Sequence, residues 1–110
     1  MMELVRALLL EMEEYPPTSG FFDLAINGYS EDEVSYHIKL LYEQGLIDAL
    51  DLSSSSGFCW KPRNLTWEGH NFIEAIRDDS RWEKVKSFLR EGGKILTIET
   101  LKEAIQKLFM

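Results

Sequence analysis

Apolar residues recur every three to four positions near both ends of the chain and alternate in its middle. That pattern predicts helices around a small β element. Leu4, Leu8 and Met12, with Val5 and Leu9, give Met2 to Glu14 a wide apolar face. Ala7 and Leu10 extend it nearly all round, so this first helix is either central or shared with a partner. Phe22, Leu24 and Ile26 alternate with Asp23, Ala25 and Asn27 before Gly28, which favours a short strand. The alternative is that Asp23-Leu24-Ala25 forms the short first helix of a helix-turn-helix. Val34, Ile38 and Leu41 then fall at i, i+4, i+7, beside His37 and Leu40. They predict a central helix of about four turns. Leu46 to Leu52 and Gly57 to Leu65 read as two strands of a hairpin, with Ser53 to Ser56 as its polar loop.

The punctuation agrees with this division. Tyr15-Pro16-Pro17 ends the first helix, because a residue before proline is pushed out of the α region, and Thr18-Ser19-Gly20 continues the loop. Ser30 and Glu33 have the spacing of a capping box, and Glu31 and Asp32 add charge that the helix dipole favours. Gly45 sits where a left-handed residue closes a helix, so that Leu46 packs back on the last turn. Pro62 limits pairing, so the second strand is an edge or ends near it. Thr66 is the expected N-cap of a helix from Trp67 to Asp79, with Gly69, Phe72, Ile73 and Ile76 inward. Ser80 and Glu83 repeat the capping-box spacing and predict a helix Arg81 to Arg90 that buries Trp82, Val85 and Leu89. Gly92-Gly93 interrupts the chain, and Thr97 opens a last helix with Leu101, Ala104, Ile105 and Leu108 inward. The expected organisation is one α+β domain over residues 1–91, with residues 92–110 as a C-terminal helix appended to it.

The run V-S-Y-H-I-K-L-L-Y-E-Q-G-L-I from Val34 to Ile47 resembles the recognition helix and following strand of winged-helix repressors. Leu65-Thr66-Trp67-Glu68-Gly69-His70 resembles the signature that ends the wing and opens the next helix in those regulators. From Met2 to Leu89 the chain is similar to an uncharacterised winged-helix family of bacterial and phage genomes, a domain of unknown function. The resemblance implies a winged helix: helix, short strand, central recognition-like helix, two-stranded wing, C-terminal helices. If the 21–27 segment is a strand, the chain departs from the usual regulators. It then lacks a full supporting helix ahead of the recognition helix.

Composition narrows the class. The 110 residues are 45% hydrophobic, enough for one core. No apolar run approaches the roughly 20 residues of a membrane span, and the N-terminus has no signal-peptide pattern. One cysteine, Cys59, excludes an internal disulfide and fits a reducing cytoplasm. The net charge is −7, and it is uneven. Residues 1–56 hold two basic and eleven acidic residues, whereas residues 57–110 hold ten and eight. A nucleic-acid binder of this charge needs a locally basic surface.

Candidate chemistry is sparse. Two histidines, His37 and His70, and one cysteine match no zinc spacing, and there is no phosphate loop or nucleophile elbow. No catalytic residue, metal or cofactor is therefore expected, and the protein is not expected to be an enzyme. His37 is expected to pack with one ring edge hydrogen-bonded. With Val34, Ile38 and Leu41 inward, Asp32, Ser35, Tyr36, Lys39 and Glu43 are expected to face out. Ser35, Tyr36 and Lys39, with Lys61 and Arg63 near the wing, are the candidate contacts to double-stranded DNA. Glu31, Asp32 and Glu33 stand at the entering end of the same helix, where they would repel phosphate. Two roles follow: a regulator that binds DNA, or a winged-helix module that binds another protein. The apolar first and last helices also predict a homodimer built from the two.

Overall fold

Ser30 and Glu33 close the capping box that their spacing predicts. Ser30 N–H donates to Glu33 Oε1 at 3.0 Å and Ser30 Oγ accepts Glu33 N–H at 3.1 Å. At the other end Gly45 takes φ +75°. That lets Gly45 N–H reach the Tyr42 carbonyl and Leu46 N–H the Leu41 carbonyl, each at 3.0 Å, a complete Schellman motif. Between these caps runs the central helix of a computed structural model that describes residues 2–16, 18 and 20–109. The expected loop positions Pro17 and Ser19 lie outside the described residues.

The elements are α1 (Met2–Glu13), α2 (Glu31–Glu43), β1 (Ile47–Asp51), β2 (Trp60–Leu65), α3 (Trp67–Ile76), α4 (Asp79–Glu91) and α5 (Ile98–Phe109). The chain is thus α+β, with five helices and one two-stranded antiparallel sheet among the described residues. Its element order is compatible with a winged-helix-like arrangement. Asp51 faces Trp60 and Ile47 faces Leu65, with a register slip between Ile47 and Ala49.

Three local expectations are corrected. First, residues 21–27 form neither a strand nor a helix. Their alternation survives as burial: Phe22, Leu24 and Ile26 are half-buried while Phe21, Asp23, Ala25 and Asn27 are exposed. Phe22 N–H donates to the Pro62 carbonyl at 3.1 Å, but Pro62 has no N–H to return the second bond of a strand pair. Second, the strands are shorter than the runs Leu46 to Leu52 and Gly57 to Leu65. They span Ile47–Asp51 and Trp60–Leu65, and β2, an edge strand as Pro62 predicts, carries that buried proline opposite Ala49. Third, α4 begins earlier than the Ser80 cap predicts. Asp78 is the N-cap, and its Oδ1 accepts Ser80 N–H at 2.7 Å and Arg81 N–H at 3.3 Å. α3 accordingly stops at Ile76, and Arg6 of α1 seals its end. Arg6 donates to the Ile76 and Arg77 carbonyls at 3.0 and 2.6 Å.

α1 runs through the centre of the core. It packs on α2, β2 and α3 and buries Leu4, Val5, Leu8, Leu9 and Met12. α5 closes the core over α3 and α4 with Ile98, Leu101, Ala104 and Ile105. Both apolar stripes are therefore covered within one chain. Among the described residues, the stripes that motivated a homodimer through the first and last helices pack against the same chain, with Ala7, Leu10 and Leu108 half-buried at their edges.

Lys86 of α4 is buried against α1. Its Nζ lies 2.9 Å from Glu3 Oε1 and 2.8 Å from Glu83 Oε1, and 5.1 Å from the Trp82 ring centroid. Burying that charge is tolerated because two carboxylates and an aromatic face meet it.

Candidate functional site

The flank of α2 that meets the hairpin is not the one its charges suggest. Ser35, expected outward, is only 9% exposed, and its Oγ accepts the Trp60 N–H at 3.3 Å. The reason is the sheet geometry. Trp60 lies opposite Asp51 with its N–H turned away from β1 and toward α2. A short hydroxyl side chain fits that approach and satisfies the amide, so Ser35 joins helix to hairpin and does not face solvent. Tyr36, one position on, is 49% exposed, with its ring edge-on to His37.

The structure gives each of the three candidate cations an acid. Lys39 Nζ is 3.6 Å from Glu43, one turn along α2. Lys61 Nζ is 2.8 Å from Asp23, and that carboxylate raises the lysine pKa. Arg63 pairs with Asp48 and lies 4.8 Å over the Phe21 ring. Glu31, Asp32 and Glu33 stand exposed at the front of the helix. The backbone and hydroxyl of Ser30 hold the Glu33 carboxyl below its usual pKa, so it stays ionised. Exposed pairs are weak and exchange readily. Counted together, the three cations stand against six acids, Asp23, Glu31, Asp32, Glu33, Glu43 and Asp48.

A feature that sequence patterning missed lies beside this face. The first turns of α2, the 23–29 segment and the hairpin loop enclose a groove of about 630 Å³. Val34, Ile38, Leu24 and Trp60 form its apolar side, and Leu52 and Phe58 line it while remaining exposed. Asp23, Glu31 and Lys61 supply charge to it, with Asp23 paired to Lys61. The signal was present in the sequence: Leu52 and Phe58 bracket a polar loop with apolar side chains that a solvated hairpin tip does not need.

The loop itself is held. Asp51 Oδ1 accepts Ser53 N–H at 2.9 Å, Ser53 Oγ accepts Cys59 N–H at 2.9 Å, and Ser54 bridges Gly57. The Ser53 bonds keep the Asp51 carboxyl below its usual pKa.

His37 packs as expected. Its Nδ1 lies 2.7 Å from the Glu33 carbonyl and so carries the proton, while Nε2 is buried without a partner among the described residues. His70 is exposed on α3 and Cys59 is half-buried in the hairpin. Among the described residues no three His, Cys, Asp or Glu side chains converge as a metal-ligand set. No helix among them is long and apolar enough to cross a membrane.

Comparison with known proteins gives a family without an assigned activity. The model of a hypothetical-protein family, DUF2513, matches residues 1–95. An uncharacterized protein of Haemophilus influenzae is 33% identical over 105 residues, which cover 94% of this chain and 89% of that one. No solved structure matches. The match along most of the chain, together with a relative similar over nearly its whole length, shows that the chain belongs to the DUF2513 family.

Proposed function

We propose that the chain is a winged-helix-type binding module, not an enzyme, and that its central helix and wing take a segment of another protein. The order of helix, central helix, hairpin and following helices supports that scaffold. The observation that carries the choice of partner is the charge of the face. Lys39, Lys61 and Arg63 each pair with an acid of the same chain, and Glu31, Asp32 and Glu33 stand exposed in the first turn of α2. DNA affinity rests largely on neutralising phosphates, which an acid-balanced face does poorly. The groove offers apolar walls with the Asp23–Lys61 pair and, beyond it, the carboxylate of Glu31 along them. Its complement is a segment that presents apolar side chains beside Lys or Arg.

Selection from a displayed random-peptide library tests this reading. Enriched peptides should combine basic and apolar residues, and Glu31→Lys and Phe58→Ala should each weaken their binding. No enrichment, or enriched peptides that bind Glu31→Lys as well as the parent, would remove it.

Double-stranded DNA is the second reading. It is favoured by Tyr36 and Lys39, which lie three residues apart on the open side of α2. Even with all three cations released from their acids, the slope of log affinity against log salt would be only about −3 per chain.

A further inference from the structure

At the far end of β2 from the hairpin loop, Trp67 opens α3 with its side chain in solvent. It is 79% exposed and is the first residue after the Thr66 cap. A tryptophan that contributes nothing to its own core calls for a reason, since such side chains are the usual anchors of protein interfaces. Beside it lies a cleft of about 310 Å³ between α3 and α5. Leu46, Phe72 and Ile105, all buried core residues, line it as an apolar floor. Glu68 and Lys102 stand at this cleft 3.6 Å apart, one charge of each sign. This cleft shares no lining residue with the groove beside α2.

We propose that this patch is a self-association surface, in which Trp67 of each copy enters the cleft of the other about a two-fold axis. Three observations select a second copy of this chain as the occupant. A two-fold interface uses the same patch on both sides, so the patch must carry both a projecting group and its receptor. Trp67 and the adjoining cleft meet that demand together. The rim is also self-complementary in charge, because a two-fold can set Lys102 of one copy near Glu68 of the other. Finally, the chain carries a net charge of −7, so two copies repel over most of their surface. At this rim the charges cancel locally. The size of the contact sets its strength. Two exchanged indoles bury about 300–500 Å² of side chain, at most half of the roughly 1,000 Å² that a stable interface needs. The dimer is therefore weak and concentration-dependent. It stands independently of what the α2 face binds.

Sedimentation of the full chain from micromolar to millimolar concentration tests the proposal, with Trp67→Ala and Gln106→Arg as variants. Both positions are exposed, so each variant should keep the parent's circular dichroism and melting curve. The first removes the projecting group, and the second sets a charged side chain over the cleft. The parent should shift from monomer toward dimer as concentration rises, with its tryptophan emission moving to shorter wavelength. Each variant should weaken the dimer about thirtyfold or more, as loss of a central aromatic anchor does. A parent that stays monomeric throughout overturns the proposal. So does a Trp67→Ala variant that dimerises as tightly as the parent.

Discussion

A Cβ added to Gly69 would stand 1.9 Å from the carbonyl oxygen of Leu46. That close approach fixes where α3 meets the end of α2. The Leu46 carbonyl also accepts Thr66 N–H at 3.0 Å, and the Gly45 carbonyl accepts Thr66 Oγ1–H at 2.6 Å. Thr66 Oγ1 in turn accepts the Gly69 N–H at 3.1 Å. The Leu65 to Gly69 signature is thus one knot that joins three elements. Alanine in place of an ordinary helix glycine gains about 1 kcal/mol. Here Gly69→Ala should instead lose about 1–3 kcal/mol, because backbone must shift to admit the methyl group. Denaturant unfolding reads the sign, and a gain would show that the close approach does not exist.

Ser35 should act on stability and not on binding. Ser35→Ala removes the acceptor of the Trp60 N–H and should cost about 0.5–1.5 kcal/mol. Tyr36→Ala, one residue away and half exposed, should stay within about 0.5 kcal/mol of the parent. Urea melts of the two variants check the contrast. Equal effects would mean that the helix flank is misassigned.

Leu41 has no exposed surface and lies where α2 meets the core. Leu41→Ala should destabilise by about 2–5 kcal/mol, as truncation of a buried leucine does. A loss below about 0.5 kcal/mol would match a surface position instead.

The Glu3–Lys86 pair should make part of the stability pH-dependent. Lys86, followed by the Trp82 indole N–H, holds the Glu3 carboxyl below its ordinary value of 4.5. A lowered folded pKa contributes stability that is present above the unfolded value and lost as pH falls through the folded one. The Glu3 side chain is largely exposed, so the effect is small, up to about 1 kcal/mol. The parent should exceed Glu3→Gln in stability at neutral pH, and the gap should close in acid. Melts across that range giving a constant gap would contradict the assignment.

What was legible in the sequence was local. The Ser30–Glu33 box, the Gly45 closure and the inward faces of α2 and α3 each depend on residues within one or two turns. The 21–27 segment shows the limit. Its alternation reports which side is buried, whereas pairing depends on Pro62, some 40 residues away. Ser35 was misplaced because successive helix residues differ by about 100°, and which flank is covered depends on where β2 docks. Ser80 lost the capping contest to Asp78, whose carboxylate reaches two amides. The stripes of α1 and α5 looked unpartnered because a pattern shows that a face is apolar, not that its cover lies in the same chain. The α2 groove shows in the sequence only as apolar Leu52 and Phe58 beside a polar loop, since its walls come from three separate stretches.

The choice between protein and DNA at the α2 face turns on one measurement, selection from random duplex DNA at low salt. Low salt favours phosphate contacts most, so it gives the DNA reading its best chance. With the charges of Lys39, Lys61 and Arg63 offset by Glu43, Asp23 and Asp48 and with Ser35 buried, no sequence should be enriched. An enriched motif whose binding is lost on Tyr36→Ala and on Lys39→Ala would contradict the protein-binding module and establish a DNA-reading helix.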